Sequence, residues 1–437
     1  MSPTLVGLAG FAGLFGLMAA GMPVGIALIV AGLCGSIVLT GWESTAYTLS
    51  GQALSTSSHY ELSVLPLFIL MGNLASASGL SRDLYEFAHR WIGHFRGGLA
   101  GATVLGCAGF AALSGSSIAS AVTMGRVAYP NMRRFGYGGR LATGTIAAGG
   151  TLGILIPPST GFVLYATLTE QSIGRLFIAG VLPGILLTAL FLVAIAIIVR
   201  LRPEEGPAGE RSSWAERLAS TRRAIAIGTI VVLTIGGIYG GIFTPVEAAG
   251  VGAAFAFVML VIRRSCTRSV MSDVAADTLR TTGMCFLILI GANIFSPFIA
   301  LSGLPALVAG YFVDSPLGPY GFLLLIIVIY ALLGMVIEGL SLMVITLPIV
   351  YPIVLSLGFD PIWFGVIMVL VLEMGLISPP VGVNCFVVST IARDVKLETV
   401  FAGVMPFWAA MMVAILLLVA FPQIALVLPD SMFAVPR

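Results

Sequence analysis

The segment Gly149 to Gly161, G-G-T-L-G-I-L-I-P-P-S-T-G, interrupts a long apolar stretch with two consecutive prolines. A helix cannot run smoothly through it. Pro157 and Pro158 lack backbone donors and push Ile156 away from helical angles, while the glycines add no side chain to stiffen the turn. In a bilayer such open backbone is tolerated only where it is buried in protein or lines a watery cavity. A single break of this kind reads equally well as a plain proline kink. The second half of the chain, however, repeats it as G-L-I-S-P-P, so that Gly153, Pro157 and Pro158 fall on Gly375, Pro379 and Pro380. The same offset of 222 residues aligns Pro23-Val24 with Pro245-Val246, Tyr129-Pro130 with Tyr351-Pro352, and Gly136 with Gly358. Near-copies follow at slightly different offsets, Ser78-Gly79-Leu80 with Ser302-Gly303-Leu304 and Ala179-Gly180-Val181 with Ala402-Gly403-Val404. The chain therefore reads as an internal duplication. Matching interruptions in two halves are a pointer to a transporter's binding site.

Hydrophobic residues make up 58% of the 437 and charged residues 9%, with a mean hydropathy of +1.08, a composition foreign to soluble domains of this size. The fold class expected is an all-α polytopic membrane protein surrounded by lipid. The net charge of +2 comes from basic residues scattered in short loops and implies no nucleic-acid partner. The first helix, from about Thr4, has no Lys or Arg ahead of it and no evident cleavage site, so a retained span is expected rather than a signal peptide. Cys34, Cys107, Cys266, Cys285 and Cys385 lie far apart with no C-x-x-C, which suits reduced structural thiols. His59, His89 and His94 form no H-E-x-x-H zinc motif.

Hydropathy places a first repeat over residues 1–199, with spans at Thr4 to Ala20, Pro23 to Leu39, Leu62 to Gly79 and Leu176 to Val199. Between them lie an amphipathic piece, Ser81 to Arg96, and two short apolar limbs within 99–132 on either side of Ser114-Gly115-Ser116-Ser117. The broken helix follows over 141–169. Each limb is too short to cross comfortably, which suggests a re-entrant hairpin; two crossing helices joined at a membrane face would fit the same pattern. A polar linker is expected over 200–223. The second repeat, 224–437, brings spans at Ala224 to Tyr239, Pro245 to Ile262 and Met284 to Ser302, a hairpin within 320–355, a broken helix over 362–392, and a last span from Thr399 to Leu428. Thr244-Pro245-Val246-Glu247 reads as a capping box, which makes Glu247 structural.

Five crossings plus one hairpin per half give an odd count, which inverts the second repeat. The loops at 80–98, 133–140, 200–223, 263–280 and 393–398 hold nearly all the Lys and Arg, so they are expected on the cytoplasmic side of a bacterial inner membrane. The loops Glu43 to Glu61 and Pro305 to Pro319, and both termini, are then periplasmic.

The hairpin tips and the breaks should meet near mid-membrane. Half-helix N-termini there attract an anion, and unwound carbonyls and hydroxyls suit a hard cation such as sodium. The candidate anion contacts are Ser116, Ser117, Thr160, Asn384 and Glu338. The candidate cation contacts are Ser114, Gly115, Gly153, Pro157 and Ser159 in the first half, and Glu338, Gly339, Ser341, Gly375, Ser378 and Pro379 in the second. For each hydroxyl, a bond to its own helix is the competing reading. Glu338 and Glu373 correspond by offset to Ser116 and Thr151, so acids stand in one half where hydroxyls stand in the other. Either a direct role or a buried structural hydrogen bond accounts for them. Arg126 lies close enough to the cytoplasmic face to snorkel.

At these motifs the chain resembles the large membrane subunit of tripartite ATP-independent periplasmic (TRAP) transporters. The matching stretches are S-G-S-S-I-A-S-A-V from Ser114, Y-P-N-M-R-R-F-G-Y from Tyr129, A-A-G-G-T-L-G-I-L-I-P-P-S from Ala147, G-I-F-T-P-V-E-A-A from Gly241 and L-I-S-P-P-V-G-V-N from Leu376. The resemblance implies a sodium-coupled, elevator-type importer of small organic anions, commonly carboxylates. It also implies two partners: a soluble periplasmic substrate-binding protein and a small four-helix membrane subunit. Because the chain begins directly at the first span, that subunit is expected as a separate chain.

A dicarboxylate or citrate symporter working alone would share this topology. An intramembrane enzyme would need a compact acid, base or nucleophile set, and the sequence offers no paired His, no G-x-S-x-G and no D-x-x-D in a span. A passive channel has no need of two interrupted helices in related copies.

Overall fold

The computed structural model describes residues 2–313 and 318–433, and over them the chain is all-α. In the first half, α1 (Pro3–Ala19) and α2 (Val24–Thr40) pair through a tight turn, and α3 (Trp42–Ser58) and α4 (Val64–Ala77) follow. Next come the amphipathic α5 (Leu80–Ile92), the hairpin limbs α6 (Gly98–Ser114) and α7 (Ser117–Arg134), and the broken helix α8 (Gly139–Leu155) and α9 (Thr160–Thr169). The long α10 (Ile173–Leu201) closes the half. In the second half, α11 (Trp214–Val231) runs through a π turn into α12 (Gly237–Tyr239), then α13 (Pro245–Ile262), α14 (Arg268–Leu301) and α15 (Leu304–Val313). The hairpin limbs α16 (Gly318–Gly334) and α17 (Gly339–Ser356) precede the broken helix α18 (Pro361–Gly375) and α19 (Val383–Ile391), and α20 (Leu397–Ala420) and α21 (Gln423–Phe433) end the fold. Both hairpins and both breaks thus form where the turn residues and prolines put them.

Several boundaries differ from the sequence reading. The stretch Glu43 to Glu61, expected as a loop, is mostly α3. Its polar composition hid it from hydropathy, but Thr45 and Thr56 spend their hydroxyls within the helix, on Gly41 O at 2.8 Å and Gln52 O at 2.7 Å. The linker expected over 200–223 is only 202–213. α11 starts at Trp214 because Ser213 and Glu216 form a capping box, with Glu216 N donating to Ser213 Oγ at 3.3 Å and Ser213 N to Glu216 Oε2 at 2.8 Å. The boundary drawn between Arg223 and Ala224 therefore falls inside a helix. Most of the loop expected at 263–280 belongs to α14, which is capped by Thr267. The span expected from Thr399 to Leu428 is two helices, parted where Pro422 removes a donor and Phe421 turns extended. Of the loop Pro305 to Pro319, residues 314–317 lie outside the described residues, as do the last four of the second repeat.

Eight helices among the described residues are long and apolar enough to cross a membrane by length and composition. The two most enclosed helices are the first segments of the broken pair. α8 is buried from Leu141 to Leu155 and α18 from Ile362 to Gly375, so each is covered on all faces. A smaller apolar cluster packs α1 and α2 against α14 through Leu14, Leu28, Phe295 and Phe298. Glycines let these backbones touch: a Cβ on Gly25 would lie 2.7 Å from Leu287 O, and one on Gly291 only 2.6 Å from Gly25 O.

Candidate functional site

At the first hairpin, Gly115 takes φ +59°, the left-handed conformation glycine reaches without strain, and reverses the chain between α6 and α7. Ser116 is extended and caps α7, its Oγ accepting from Ala119 N at 3.4 Å, and Ser114 Oγ pairs with Ser120 Oγ at 3.0 Å. This tip sits directly on the first break. Thr160 Oγ1 donates to Gly115 O at 2.8 Å. A Cβ on Gly115 would lie 2.8 Å from Pro158 O, and one on Gly153 2.5 Å from Ser116 O, so glycine at both positions is what lets the two backbones touch. Ser159 caps α9, accepting from Phe162 N at 3.2 Å. Across the break from Gly149 to Gly161 every residue is buried except Ile156, which is half-buried.

The second hairpin is built from different chemistry. Glu338 caps α17, its carboxylate accepting from Leu340 N at 3.2 Å, Ser341 N at 2.9 Å and Ser341 Oγ at 2.9 Å. Gly334 and Gly375 meet backbone to backbone, a Cβ on Gly375 falling 2.8 Å from Gly334 O, and Gly339 rests on Leu372. In the break itself, Ser378 donates to Met374 O at 2.7 Å and accepts from Trp408 Nε1 at 2.9 Å. Pro379, Pro380 and Val381 are exposed, and Gly382 takes φ +55° before α19 begins.

The two assemblies join in the centre of the molecule. The Ser117 hydroxyl donates to the carboxylate of Glu373, and both residues are buried. Asn384 is buried beside them, its Nδ2 donating to Ala147 O at 3.4 Å and its Oδ1 without a partner. The halves also exchange short helices: α19 packs on α7 and α8, while α9 packs on α17 and α18. Matched tyrosines tie each exchange at its far end. Tyr351 of α17 donates to Thr169 O at 3.2 Å, in the last residue of α9, and accepts from Gln171 Nε2 at 3.0 Å. Tyr129 of α7 donates to Asp394, just past α19, and Arg133 reaches the same carboxylate at 2.9 Å. The Tyr129 hydroxyl, with Arg133 beside it, holds the Asp394 carboxyl below the usual aspartate range.

Glu338 and Glu373 line one cavity with Ile154, Gly161 and Leu372. Its volume is about 10 Å³, room for about one water-sized group. A far larger cavity, about 670 Å³, lies away from the breaks, where the end of α3 faces the α9–α10 connection and the start of α13, with Thr56, His59, Glu61 and Gln171 in its wall. Among the described residues no three His, Cys, Asp or Glu side chains come together as a metal-holding group. A cation at the breaks would thus rely on carbonyls and hydroxyls with at most two carboxylates.

The family model for the tripartite ATP-independent periplasmic transporter, DctM component, matches residues 11–424. The chain belongs to this DctM family. It is 39% identical over 401 residues to the C4-dicarboxylate TRAP transporter large permease protein DctM of Pseudomonas aeruginosa, covering 91% of this chain and 93% of that one. It is 33% identical over 420 residues to the sialic acid TRAP transporter large permease protein SiaM of Vibrio cholerae, covering 96% and 97%. In fold it is similar to the crystal structure of the Alcanivorax borkumensis YdaH transporter, with a TM-score of 0.65 at 16% identity, covering 97% of this chain and 100% of that one. Membership makes this DctM-type chain a transport component and not an enzyme, one part of a tripartite system.

Within that permease frame, Ser114, Gly115, Ser116, Ser117, Gly153, Pro157, Ser159 and Thr160 gather at the first break, and Glu338, Gly339, Ser341, Gly375, Ser378 and Pro379 at the second. Ser378 turns toward α20 through Trp408. Asn384, from the second half, lies nearer the first hairpin than its own. Arg126 is exposed and makes none of these contacts. Sequence reasoning missed the Ser117–Glu373 bond and the pairing of Tyr129 with Asp394. The shared register of Tyr129 and Tyr351 was the one available signal for matched tyrosine contacts.

Proposed function

We propose that this chain is the large permease of a sodium-coupled importer, and that it carries a small organic anion of the carboxylate class by an elevator-type movement. The observation that carries this reading is the double assembly itself: each hairpin tip rests on a proline-broken helix of its own half and is closed by a short helix from the other. Four helix N-termini, those of α7, α9, α17 and α19, open into this region, which favours an anion. Ser116, Ser117, Thr160, Asn384 and Glu338 are the anion contacts in this reading. The remaining tip and break residues, Ser114, Gly115, Gly153, Pro157 and Ser159 with Glu338, Gly339, Ser341, Gly375, Ser378 and Pro379, form two related cation sites. The cluster of α1, α2 and α14 supplies a static wall against which hairpins and broken helices move. Relatives named for C4-dicarboxylates and for sialic acid support the carboxylate class. The partners are a periplasmic binding protein that delivers the anion and a small four-helix membrane subunit, with the chain in the inner membrane and both termini on the periplasmic side.

Uptake into proteoliposomes holding all three components decides the matter. Accumulation is expected with a sodium gradient and is expected to stop when potassium replaces sodium. Uptake that persists in potassium or requires ATP would overturn the coupling. Strong uptake by the large subunit without its binding protein would favour the stand-alone symporter.

A further inference from the structure

Glu373 and Thr151 occupy equivalent positions, one turn before each break, and they reach in different directions. Thr151 spends its hydroxyl inside its own helix, on Ala148 O at 2.6 Å. Glu373 crosses between the halves to accept from Ser117, the first residue of α7 and part of the tip that sits on the first break. The two side chains are 2% and 1% exposed, so neither finds water as an alternative partner. A buried polar carboxyl group that loses its hydrogen-bond partner is costly, which makes this bond persistent.

The same glutamate also belongs to the second break. Its carbonyl accepts from Leu376 N at 3.2 Å, where α18 unwinds, so any shift of that backbone moves the root of the side chain. The space around Ser117 allows little slack. A Cβ on Gly150 would lie 3.0 Å from Ser117 O and 3.2 Å from Asn384 Nδ2. A displaced Glu373 must therefore carry Ser117 with it or leave it unpaired in a packed interior.

We propose that Glu373 is a positioning residue that couples the two breaks, its bond to Ser117 making the seat of the first hairpin tip depend on the backbone arrangement at the second. Resting on the sodium-site reading above, this predicts cooperative sodium binding by two sites that share no ligand. The chemistry needed at position 373 is an acceptor long enough to reach Ser117, not a negative charge as such.

The test is uptake by the complete reconstituted transporter against sodium concentration, together with sodium-dependent thermal stabilisation of the purified subunit. Wild type is expected to respond steeply, with a Hill coefficient above one. Glu373→Ala and Ser117→Ala should each bring the coefficient to about one and raise half-saturating sodium about fivefold or more. In the sodium-dependent stabilisation, read without the anion that Ser117 contacts in that reading, the double variant should be no worse than the single ones, because there both remove the same bond. Glu373→Gln, whose amide carbonyl still accepts from Ser117, should restore most of the steepness. Should Glu373→Ala not fold, Ser117→Ala and Glu373→Gln carry the comparison. A sodium-dependent wild type whose Hill coefficient is unchanged by these variants, or strictly additive effects in the double variant, overturns the coupling alone. Uptake and stability indifferent to sodium in the wild type would overturn the sodium reading and the coupling with it.

Discussion

The first and second breaks share a proline pair, a preceding glycine and a hairpin partner, yet one is stapled shut and the other is open on one side. The difference traces to a single aligned position. Thr160 in the first half falls on Gly382 in the second. Thr160 bonds the hairpin tip at Gly115 O, whereas Gly382 has no side chain and adopts φ +55°, which few other residues tolerate. The first break is a closed seat for its hairpin tip, while the second is exposed at Pro379, Pro380 and Val381.

The largest expected effects come from closing the breaks. Replacing Pro157 and Pro158 by alanine, or Pro379 and Pro380, removes residues that each cost a helix interior about 3 kcal/mol, and either change should cut uptake at least about tenfold. The comparison predicts a further split. At the first break a continuous helix would displace the hairpin tip seated on Pro158, so folded yield and thermal stability should fall as well. At the exposed second break the protein should remain stable while losing uptake. Equal loss of stability in both variants would show that the two breaks are equally embedded.

An intermediate effect is expected at the staple. Thr160→Val removes the hydroxyl bond to Gly115 O, keeps the side-chain shape and leaves that carbonyl the longer bond from Thr160 N at 3.5 Å, a net loss of about 0.5–1.5 kcal/mol. The first hairpin tip should then open more often. Maleimide labelling of Ser114→Cys, with the exposed Cys34 and Cys266 replaced by serine, should become several-fold faster by that energy, while labelling of Ile337→Cys at the other hairpin stays the same. Unchanged labelling at Ser114→Cys would mean that the glycine contacts and the backbone bond from Thr160 N hold the tip without the hydroxyl.

Much of this architecture was legible in the chain because it rests on residues with strong backbone preferences. Two prolines and a glycine mark each break, serines around a glycine mark the first hairpin turn, and an acid, a glycine and a serine mark the second. What escaped were helices whose apolar face is discontinuous. α3 returns the Thr45 and Thr56 hydroxyls to its own backbone and is docked by Asn293 on Thr56 at 2.8 Å, and the polar start of α14 carries on from Thr267 without an apolar run. At the site, the candidate residues were legible by register, but Ser117 with Glu373 was not. That bond joins positions in opposite halves, and no local pattern encodes a contact made only when the end of α18 reaches the start of α7.

The smallest expected effect separates the two tyrosine ties. At Tyr129 the partner is an acid with an arginine beside it, while at Tyr351 the partners are a carbonyl and the Gln171 amide. Asp394 is held below the usual aspartate range by the Tyr129 hydroxyl, with Arg133 adding to it. A group whose folded value is depressed contributes stability above its unfolded value, about 3.9 for aspartate, and the contribution is lost as pH falls through the folded value. The side chains of Arg133 and Asp394 are 43% and 50% exposed, so solvent screening limits this tie to roughly 0.2–1 kcal/mol. Asp394→Asn should therefore lower the thermal midpoint slightly at pH 7, and the gap from wild type should narrow below pH about 4. Gln171→Leu should lower it by a similar small amount with no such narrowing, because neither the amide nor the carbonyl titrates there. Parallel pH profiles for the two variants would mean that the acid at Asp394 adds nothing beyond what the neutral tie already provides.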